Sequence, residues 1–145
     1  MTNLTTPDVT LYGAPMSMYS GKVRAYLRKH CIAFQEVMPG DLRFREKIYP
    51  QVKRGIVPIL EHADGQLVQD TVDIIDYFEN HNLGKFSVYP CEPKQRLAAL
   101  ILDLFGSEGL FKVAMHYRWN YLDVNEDFIR YEFGDHAVPG AKPDM

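Results

Sequence analysis

The segment Ile56-Val57-Pro58-Ile59-Leu60, with a second short apolar run that ends at Gln69-Asp70-Thr71, decides how the rest of the chain is interpreted. Asp64-Gly65 separates the two runs and is typical of a type I′ hairpin turn, in which both central residues have positive φ. Because Pro58 has no backbone N–H to donate, we expect it at the start of an edge strand. A helical pattern begins directly after the second run. The final Asp-Thr pair therefore lies at a helix N-terminus, where unpaired N–H groups attract anions.

The composition limits the class of protein. A chain of 145 residues is long enough for one domain with a proper core, or for a compact domain and part of another. The net charge of −3 and the lack of a basic stripe with interleaved aromatic residues argue against a nucleic-acid partner. No apolar run approaches the length of a membrane span, and the first ten residues lack the pattern of a signal peptide. We therefore expect a soluble, cytoplasmic protein.

The chain up to residue 84 alternates between strand and helix patterns. A first strand is expected over 9–12, before a Gly-Ala-Pro loop. Apolar residues at helical spacing from Gly21 onward predict an amphipathic helix with Ser20 as its N-cap. The remaining elements are a strand over 33–38, a weak helical patch over 44–52, the hairpin, and a helix that starts at Thr71. The predicted order is strand, helix, strand, helix, strand, strand, helix.

The composition changes after residue 84. Residues 84–92 contain Gly and Pro and are typical of a linker, and Pro93 suits the first position of a new helix. Apolar residues then follow helical spacing, with an interruption around Gly106 and Gly109. From residue 123 to the end the sequence is polar, and we expect a tail there.

The Val-Pro-Ile-Leu run, the hairpin and the acidic-hydroxyl pair together resemble the glutathione-binding part of the glutathione S-transferase family. The resemblance implies an α/β fold, with a thioredoxin-like βαβ-α-ββ-α domain over residues 8–83, a linker over 84–92 and a short all-α segment over 93–145. That last segment is short for the helical domain of the family. It is expected to be a partial counterpart of that domain.

The resemblance also implies roles for the residues of the hairpin region. In the family the proline is cis, and the residue before it, here Val57, offers its backbone to the cysteinyl part of glutathione. Asp70 and Thr71 take the positions that hold the γ-glutamyl end. The glycine carboxylate needs a basic residue, for which Lys47, Lys53 and Arg54 are alternatives; none matches a firm motif, and a solvated surface charge is the preferred interpretation of each.

A loop upstream carries the position that faces the glutathione sulfur in the family, where a Tyr, Ser or Cys stands about seven residues before the Arg of a basic-Val-Arg segment. Lys22-Val23-Arg24 matches that segment, which assigns the position to Ser17. A hydroxyl hydrogen bond and a helix N-terminus stabilise a thiolate and lower the thiol pKa from about 8.5. The bland alternative is a loop serine or helix N-cap. Competing candidates for this role are Tyr12, Tyr19 and Ser20.

The other chemistry-bearing residues favour structural roles. The five histidines have no metal-ligand spacing, so we expect no metal. His30 and His116 are interpreted as structural, and Cys31 as a buried residue of the first helix. With Ser17 instead of Cys in a Ser-x-x-Ser loop, a thiol–disulfide cycle is excluded. The aromatic and Met-containing segment 114–119, which in the family helps to line the electrophile pocket, is expected to be core.

The resemblance implies a glutathione transferase: glutathione is the co-substrate, a small hydrophobic electrophile the second substrate, and a homodimer the usual assembly. A short helical segment would expose apolar faces such as Leu97, Leu100 and Leu104. The chain is therefore alternatively a fragment of a longer transferase, or a non-catalytic binding or interaction module with the same fold.

Overall fold

The computed structural model describes residues 9–52 and 54–135. The predicted order of elements from residue 9 to residue 80 is confirmed, although the second helical element is one π-helical turn, Phe44–Ile48, followed by a 3₁₀ turn, Tyr49–Gln51. The regular elements of this part are β1 Val9–Tyr12, α1 Met18–Lys29, β2 Phe34–Val37, β3 Ile59–His62, β4 Leu67–Gln69 and α2 Thr71–Asn80. No regular helix or strand lies between α2 and residue 93.

The four strands form one mixed sheet in the order β2-β1-β3-β4. β1 is parallel to β2 and antiparallel to β3, which is antiparallel to β4. Because β3 lies inside the sheet, the expectation that Pro58 opens an edge strand is wrong. The fold tolerates the proline because it precedes the hydrogen-bonded ladder, and its carbonyl accepts a hydrogen bond from the Asp70 N–H at 3.2 Å.

The hairpin turn is real, but it is not of type I′. Gly65 has φ +87°, whereas Asp64 does not have positive φ. The Gly65 N–H donates to the His62 carbonyl at 2.9 Å, and the His62 N–H donates to the Gln66 carbonyl at the same distance. A single glycine in the left-handed region is the pattern of a longer hairpin loop with a bulge, so the loop is longer than the two residues predicted.

Buried side chains form two clusters on opposite faces of the sheet, as strand alternation requires. The face covered by α1 and α2 carries Val9, Leu11, Val23, Tyr26, Leu27, Leu60, Ile74, Ile75 and Phe78. The other face carries Tyr12, Phe44, Ile48 and Ile59, and the π-helical turn covers it. Burial of each such side chain stabilises the fold by about 1.5–3 kcal/mol. The sheet and its two covers thus form a rigid base for the loops at its end.

Helix α1 differs from the prediction at both ends. It begins at Met18, and its N-cap is Ser17 rather than Ser20. Ser20 is fully buried in the first turn, where its Oγ accepts a hydrogen bond from the Ala14 N–H at 3.3 Å. Cys31 follows the helix in a left-handed conformation, φ 54°, and is exposed, so its predicted burial is wrong. His30 is buried, as expected of a structural histidine, and its Nδ1 accepts from the Lys85 N–H.

The described C-terminal part consists of helices joined by short turns. It contains α3 Pro93–Leu104, α4 Phe111–Trp119 and α5 Leu122–Arg130, with π-helical turns at Phe105–Gly109 and Tyr131–Asp135. The predicted polar tail is therefore wrong up to residue 135, because α5 is an amphipathic helix; residues 136–145 lie outside the described part. None of the described helices is long and apolar enough to cross a membrane.

No side chain of α3, α4 or α5 is buried. The expectation that segment 114–119 belongs to the core is wrong, since Tyr117 is 62% exposed. His116 is exposed as well. The expected apolar face of α3 is exposed: Leu97 and Leu104 are each more than half exposed, and Leu100 is 44% exposed. Ile101, beside this face, is also more than half exposed. These helices therefore carry a large apolar surface without a covering layer in the described chain.

The segment between α2 and α3 is held to α2 through the Glu79 carboxylate. It accepts hydrogen bonds from the Tyr26 hydroxyl at 2.7 Å, from the Ser87 hydroxyl, and from the Val88 N–H at 3.1 Å. Burial acts to raise the pKa of Glu79, but these hydrogen bonds outweigh it and lower the pKa below its usual value. The ionised carboxylate thus fixes the path of the chain between α2 and α3.

Glu79→Gln is expected to lower the free energy of unfolding by about 1–3 kcal/mol at neutral pH, because charge-assisted hydrogen bonds are lost. Since the pKa is depressed in the folded state, the stabilisation is present above the usual Glu pKa of about 4.3 and is lost as the pH falls through the folded value. Urea unfolding at several pH values measures this. A difference between wild type and variant that persists undiminished in acid would contradict the assignment.

Candidate functional site

The predicted binding residues meet in one groove at the N-terminal end of α2. Its volume is about 240 Å³, and it lies between the segment before β3, the start of α2 and the turn after α3. We call it the Pro58 groove; its lining residues are Tyr19, Arg54, Ile56, Val57, Pro58, Asp70, Thr71, Val72, Ser107 and Glu108. All four residues predicted to hold glutathione therefore line the same surface.

The Val57–Pro58 peptide bond is cis, as the family resemblance implies. Within the described residues, neither the N–H nor the C=O of Val57 has a hydrogen-bond partner. An unpaired donor and acceptor on one residue can pair with an extended peptide in the manner of a sheet edge. Gln69 supports this segment, because its side-chain amide donates to the carbonyls of Arg54 and Ile56 at 2.5 and 3.0 Å.

Asp70 is held in an unusual backbone conformation at the groove. It caps α2, with one carboxylate oxygen accepting from the Val72 N–H at 3.3 Å, and its φ of 89° and ψ of 146° fall in a region that favours glycine. A non-glycine residue there costs on the order of 1–3 kcal/mol. The other carboxylate oxygen lies 3.3 Å from an Arg54 guanidinium nitrogen. The carboxylate is thus fixed beside the groove at a cost in stability.

Asp70→Gly is expected to unfold at the same or higher urea concentration than wild type. Strain relief of about 1–3 kcal/mol exceeds the few tenths lost when glycine replaces the cap and the roughly 0.5–1 kcal/mol of glycine entropy. The comparison variant is Asp70→Ala, which keeps the strain, loses the cap and is expected to be about 1 kcal/mol less stable. A glycine variant less stable than the alanine variant would show that the backbone at residue 70 is not strained.

Thr71 is 2% exposed, and its hydroxyl donates to the Tyr19 carbonyl at 3.2 Å. This bond ties the start of α2 to the first turn of α1. As the first residue of α2, Thr71 has a backbone N–H without an intrahelical partner. The groove therefore contains the Asp70 carboxylate next to an electropositive helix end, which suits a zwitterionic ligand group.

Ser17 is the N-cap of α1, and its Oγ accepts from the Ser20 N–H at 3.1 Å. Ser17 is therefore a helix-capping serine, as the purely structural alternative predicts. Its hydroxyl proton has no acceptor within the described residues and remains free to donate. Ser17 does not line the Pro58 groove itself, but Tyr19, two residues further along the chain, does. Ser17 can therefore cap α1 as an acceptor and still donate its hydroxyl proton to another group.

The three competing candidates have other partners. Tyr12 is fully buried; its hydroxyl donates to Glu61 at 2.7 Å and accepts from Arg43 at 3.0 Å. Ser20 is buried as well, so neither reaches the groove. Tyr19 lines the groove, but its hydroxyl donates to the Ser107 carbonyl at 3.0 Å. Burial, with smaller contributions from Glu108 and Asp70, raises the pKa of Tyr19, so the phenol stays protonated.

Comparison with known proteins supplies the family. A sequence profile of the glutathione S-transferase N-terminal domain matches residues 11–86, slightly more than half of the chain. The chain belongs to the glutathione S-transferase family. No protein of curated function matches this sequence significantly.

Solved structures agree with the family in fold. The chain is similar to a glutathione S-transferase from Rhodospirillum rubrum F11, with 20% identity and a TM-score of 0.65 over 85% of this chain and 53% of that one. It is also similar to a Pseudomonas fluorescens Pf-5 family member with bound glutathione, with 23% identity and a TM-score of 0.58 over 88% of this chain and 69% of that one. It is similar as well to glutathione transferase Omega 3C from Trametes versicolor, with 16% identity and a TM-score of 0.64 over 85% of this chain and 56% of that one. The chain spans about half to two thirds of these transferases.

Among the basic residues proposed for the glycine carboxylate of a transferase ligand, Arg54 lines the groove. Lys47 is exposed and is not among the lining residues, and Lys53 lies outside the described part of the chain. The Arg54–Asp70 ion pair is partly exposed, so its net contribution is at most about 1 kcal/mol and a ligand can replace it. Of the two candidates that the structure describes, Arg54 is therefore the one that lines the groove.

Sequence reasoning missed the polar contacts between the helical part of the chain and the part before it. Arg118 donates to the Met16 carbonyl at 2.7 Å, and Lys22 forms an ion pair with Asp103. Because these partners lie more than eighty positions apart in sequence, no local pattern signals them. Within residues 9–52 and 54–135, no three His, Cys, Asp or Glu side chains are grouped as a metal site.

Proposed function

We propose that the chain binds glutathione in the Pro58 groove and activates its thiol for attack on a small electrophile. The observation that carries the proposal is the unpaired backbone of Val57 beside the Asp70 carboxylate and the N-terminus of α2. Together with Arg54, which also lines the groove, these groups match in number and in charge a tripeptide with an α-ammonium, two carboxylates and an extended backbone.

Each part of glutathione has a counterpart in the proposal. Val57 pairs with the cysteinyl backbone. The Asp70 carboxylate accepts from the γ-glutamyl ammonium, and the Thr71 N–H donates to the γ-glutamyl carboxylate at the helix N-terminus. Arg54 binds the glycine carboxylate once its exposed pair with Asp70 opens. Fold relatives crystallised with glutathione, from Pseudomonas fluorescens Pf-5 and from Sulfitobacter, support this choice of ligand.

Ser17 is the proposed thiol-activating group. Its hydroxyl proton is free to donate to the sulfur, and the N-terminus of α1 adds positive potential at the same place. Both effects favour the thiolate, which attacks the electrophile and forms the S–C bond as the leaving group departs. The electrophile is proposed to be small and hydrophobic, and the working form a cytoplasmic homodimer. Residues 8–83, 84–92 and 93–145 are proposed as binding domain, linker and partial helical domain.

A second candidate function is a non-catalytic module that works through a partner protein. The observation in its favour is the exposed apolar surface of α3, where Leu97, Ile101 and Leu104 are 59%, 57% and 63% exposed. Such a module keeps the groove, with or without affinity for glutathione, but has no use for a free Ser17 hydroxyl.

Turnover separates the two functions. The purified chain is mixed with reduced glutathione and an activated aryl halide, and the thioether product is measured by absorbance alongside an amide-shift titration with glutathione. We expect saturable binding and product formation above the uncatalysed rate. Saturable binding without turnover across a panel of small electrophiles would favour the module and contradict thiol activation.

A further inference from the structure

The Met16–Ser17 peptide group is fixed from two sides. Its carbonyl accepts a hydrogen bond from Arg118 of α4 at 2.7 Å, and its N–H donates to the Ala14 carbonyl at 3.0 Å. Because a peptide group is planar, holding both of its ends fixes its orientation and the direction in which the chain enters Ser17. The remaining backbone partner of this serine, the Gly21 N–H, lies within α1 itself.

Arg118 comes from the other part of the chain, 102 positions away from Met16. It is half-buried, and its guanidinium also lies over the Phe133 ring, 5.7 Å from the ring centroid. The aromatic contact and the carbonyl bond both hold this cation, so it is not a freely mobile surface charge. The guanidinium thus places a positive charge beside the Ser17 loop.

Among the described residues, two other polar contacts connect the helical part to the same region. The Tyr19 hydroxyl donates to the Ser107 carbonyl, and Lys22 pairs with Asp103. Met16, Tyr19 and Lys22 are thus contacted at intervals of three residues, but the contact from Arg118 is the one made to the loop that carries Ser17. The other two are made to α1.

We propose that Arg118 is a positioning residue for thiol activation: its hydrogen bond to the Met16 carbonyl orients the Ser17 hydroxyl, and its charge favours an anion next to it. The inference rests on the glutathione activity proposed above. It makes the helical part of the chain a component of the thiol site. Arg118 acts through the loop and the local potential, without contact to the reacting atoms.

The test compares Arg118→Met and Arg118→Lys with Asp103→Asn as the matched control, since that variant removes the Lys22 ion pair between the same two parts of the chain. Ultraviolet absorbance of bound glutathione as a function of pH reports the thiolate. Arg118→Met is expected to hold about tenfold less thiolate at neutral pH, with glutathione affinity changed less than about threefold. Arg118→Lys keeps the charge and one donor and is expected to recover part of the loss.

Faster amide exchange at Ser17 in Arg118→Met gives a second readout, which does not depend on glutathione. A pH profile identical to wild type, or an equal shift in Asp103→Asn, overturns the role of Arg118 and leaves the proposed function intact. A wild-type chain that binds glutathione without ionising it overturns both. If Arg118→Met does not fold, the Arg118→Lys variant decides. A thiolate pH profile and a Ser17 amide exchange rate that both equal those of wild type would overturn the role of the guanidinium in orienting Ser17.

Discussion

Replacement of Ser17 by alanine is expected to lower the rate of thioether formation at neutral pH by about 10- to 100-fold. A hydrogen bond to a charged acceptor contributes about 1.5–3 kcal/mol, and each 1.36 kcal/mol corresponds to one pKa unit of the bound thiol. Loss of the free hydroxyl proton therefore depletes the thiolate at pH 7. At high pH, where free glutathione ionises as well, the rates of wild type and variant are expected to converge. Steady-state rates from pH 6 to about 9 measure this.

The control for Ser17→Ala has to separate the hydroxyl from the cap. Ser17 also accepts from the Ser20 N–H, so alanine is expected to cost about 1 kcal/mol of stability in addition to activity. Ser17→Thr keeps both the cap and the donor and is expected to retain most of the rate, whereas Ser17→Asp keeps the cap and repels the thiolate. Full activity in the alanine variant, together with reduced stability, would identify Ser17 as a capping residue and nothing more.

Asp70→Ala is expected to weaken glutathione binding by about 10- to 100-fold, because a charge-assisted hydrogen bond to the γ-glutamyl ammonium is lost. The side chain is only partly exposed, so solvent screens the interaction incompletely. Calorimetric titration with reduced glutathione measures the change. The loss is expected to be smaller for a glutathione analogue that lacks the α-amino group, because the analogue has no ammonium for the carboxylate to bind.

Asp73→Ala is the matched control for this experiment. Asp73 carries the same charge in the first turn of the same helix, but it is exposed and does not line the Pro58 groove. Asp73→Ala removes one negative charge from the start of α2, as Asp70→Ala does, but leaves the proposed contact between Asp70 and the ligand ammonium intact. Equal losses of affinity in the two variants would reduce the role of Asp70 to a general electrostatic effect.

The parts of the site that were predictable from sequence are those set by short-range chemistry. A proline directly before a strand, a glycine-containing hairpin loop and an Asp-Thr pair at a helix start each leave a local signature, and the structure brings them together at one groove. The cap of α1 was misassigned for a related reason. Ser17 and Ser20 are both capping residues by type, and the apolar periodicity that begins at Val23 does not show that the first turn starts at Met18.

The rest depended on tertiary structure. Whether β3 is an edge or an inner strand is decided by its pairing with β1, which the sequence of β3 itself does not encode. The sequence places Tyr12 at the end of the first strand, as observed. The face of the sheet that Tyr12 occupies, opposite α1, follows from the register of the whole sheet. The Arg118 contact requires α4 to lie over the loop before α1. No spacing rule connects residues 16 and 118.

The central claim, that the Pro58 groove is a glutathione site, is tested most directly by titrating the isotope-labelled chain with reduced glutathione and following backbone amide shifts. We expect saturable shifts that are largest at Val57, Asp70 and Thr71 and are absent from the Glu61 and His62 end of β3. S-methylglutathione is expected to shift the same amides, since the tripeptide backbone is unchanged. Shifts that remain linear into the millimolar range, or that cluster away from the groove, would contradict the claim.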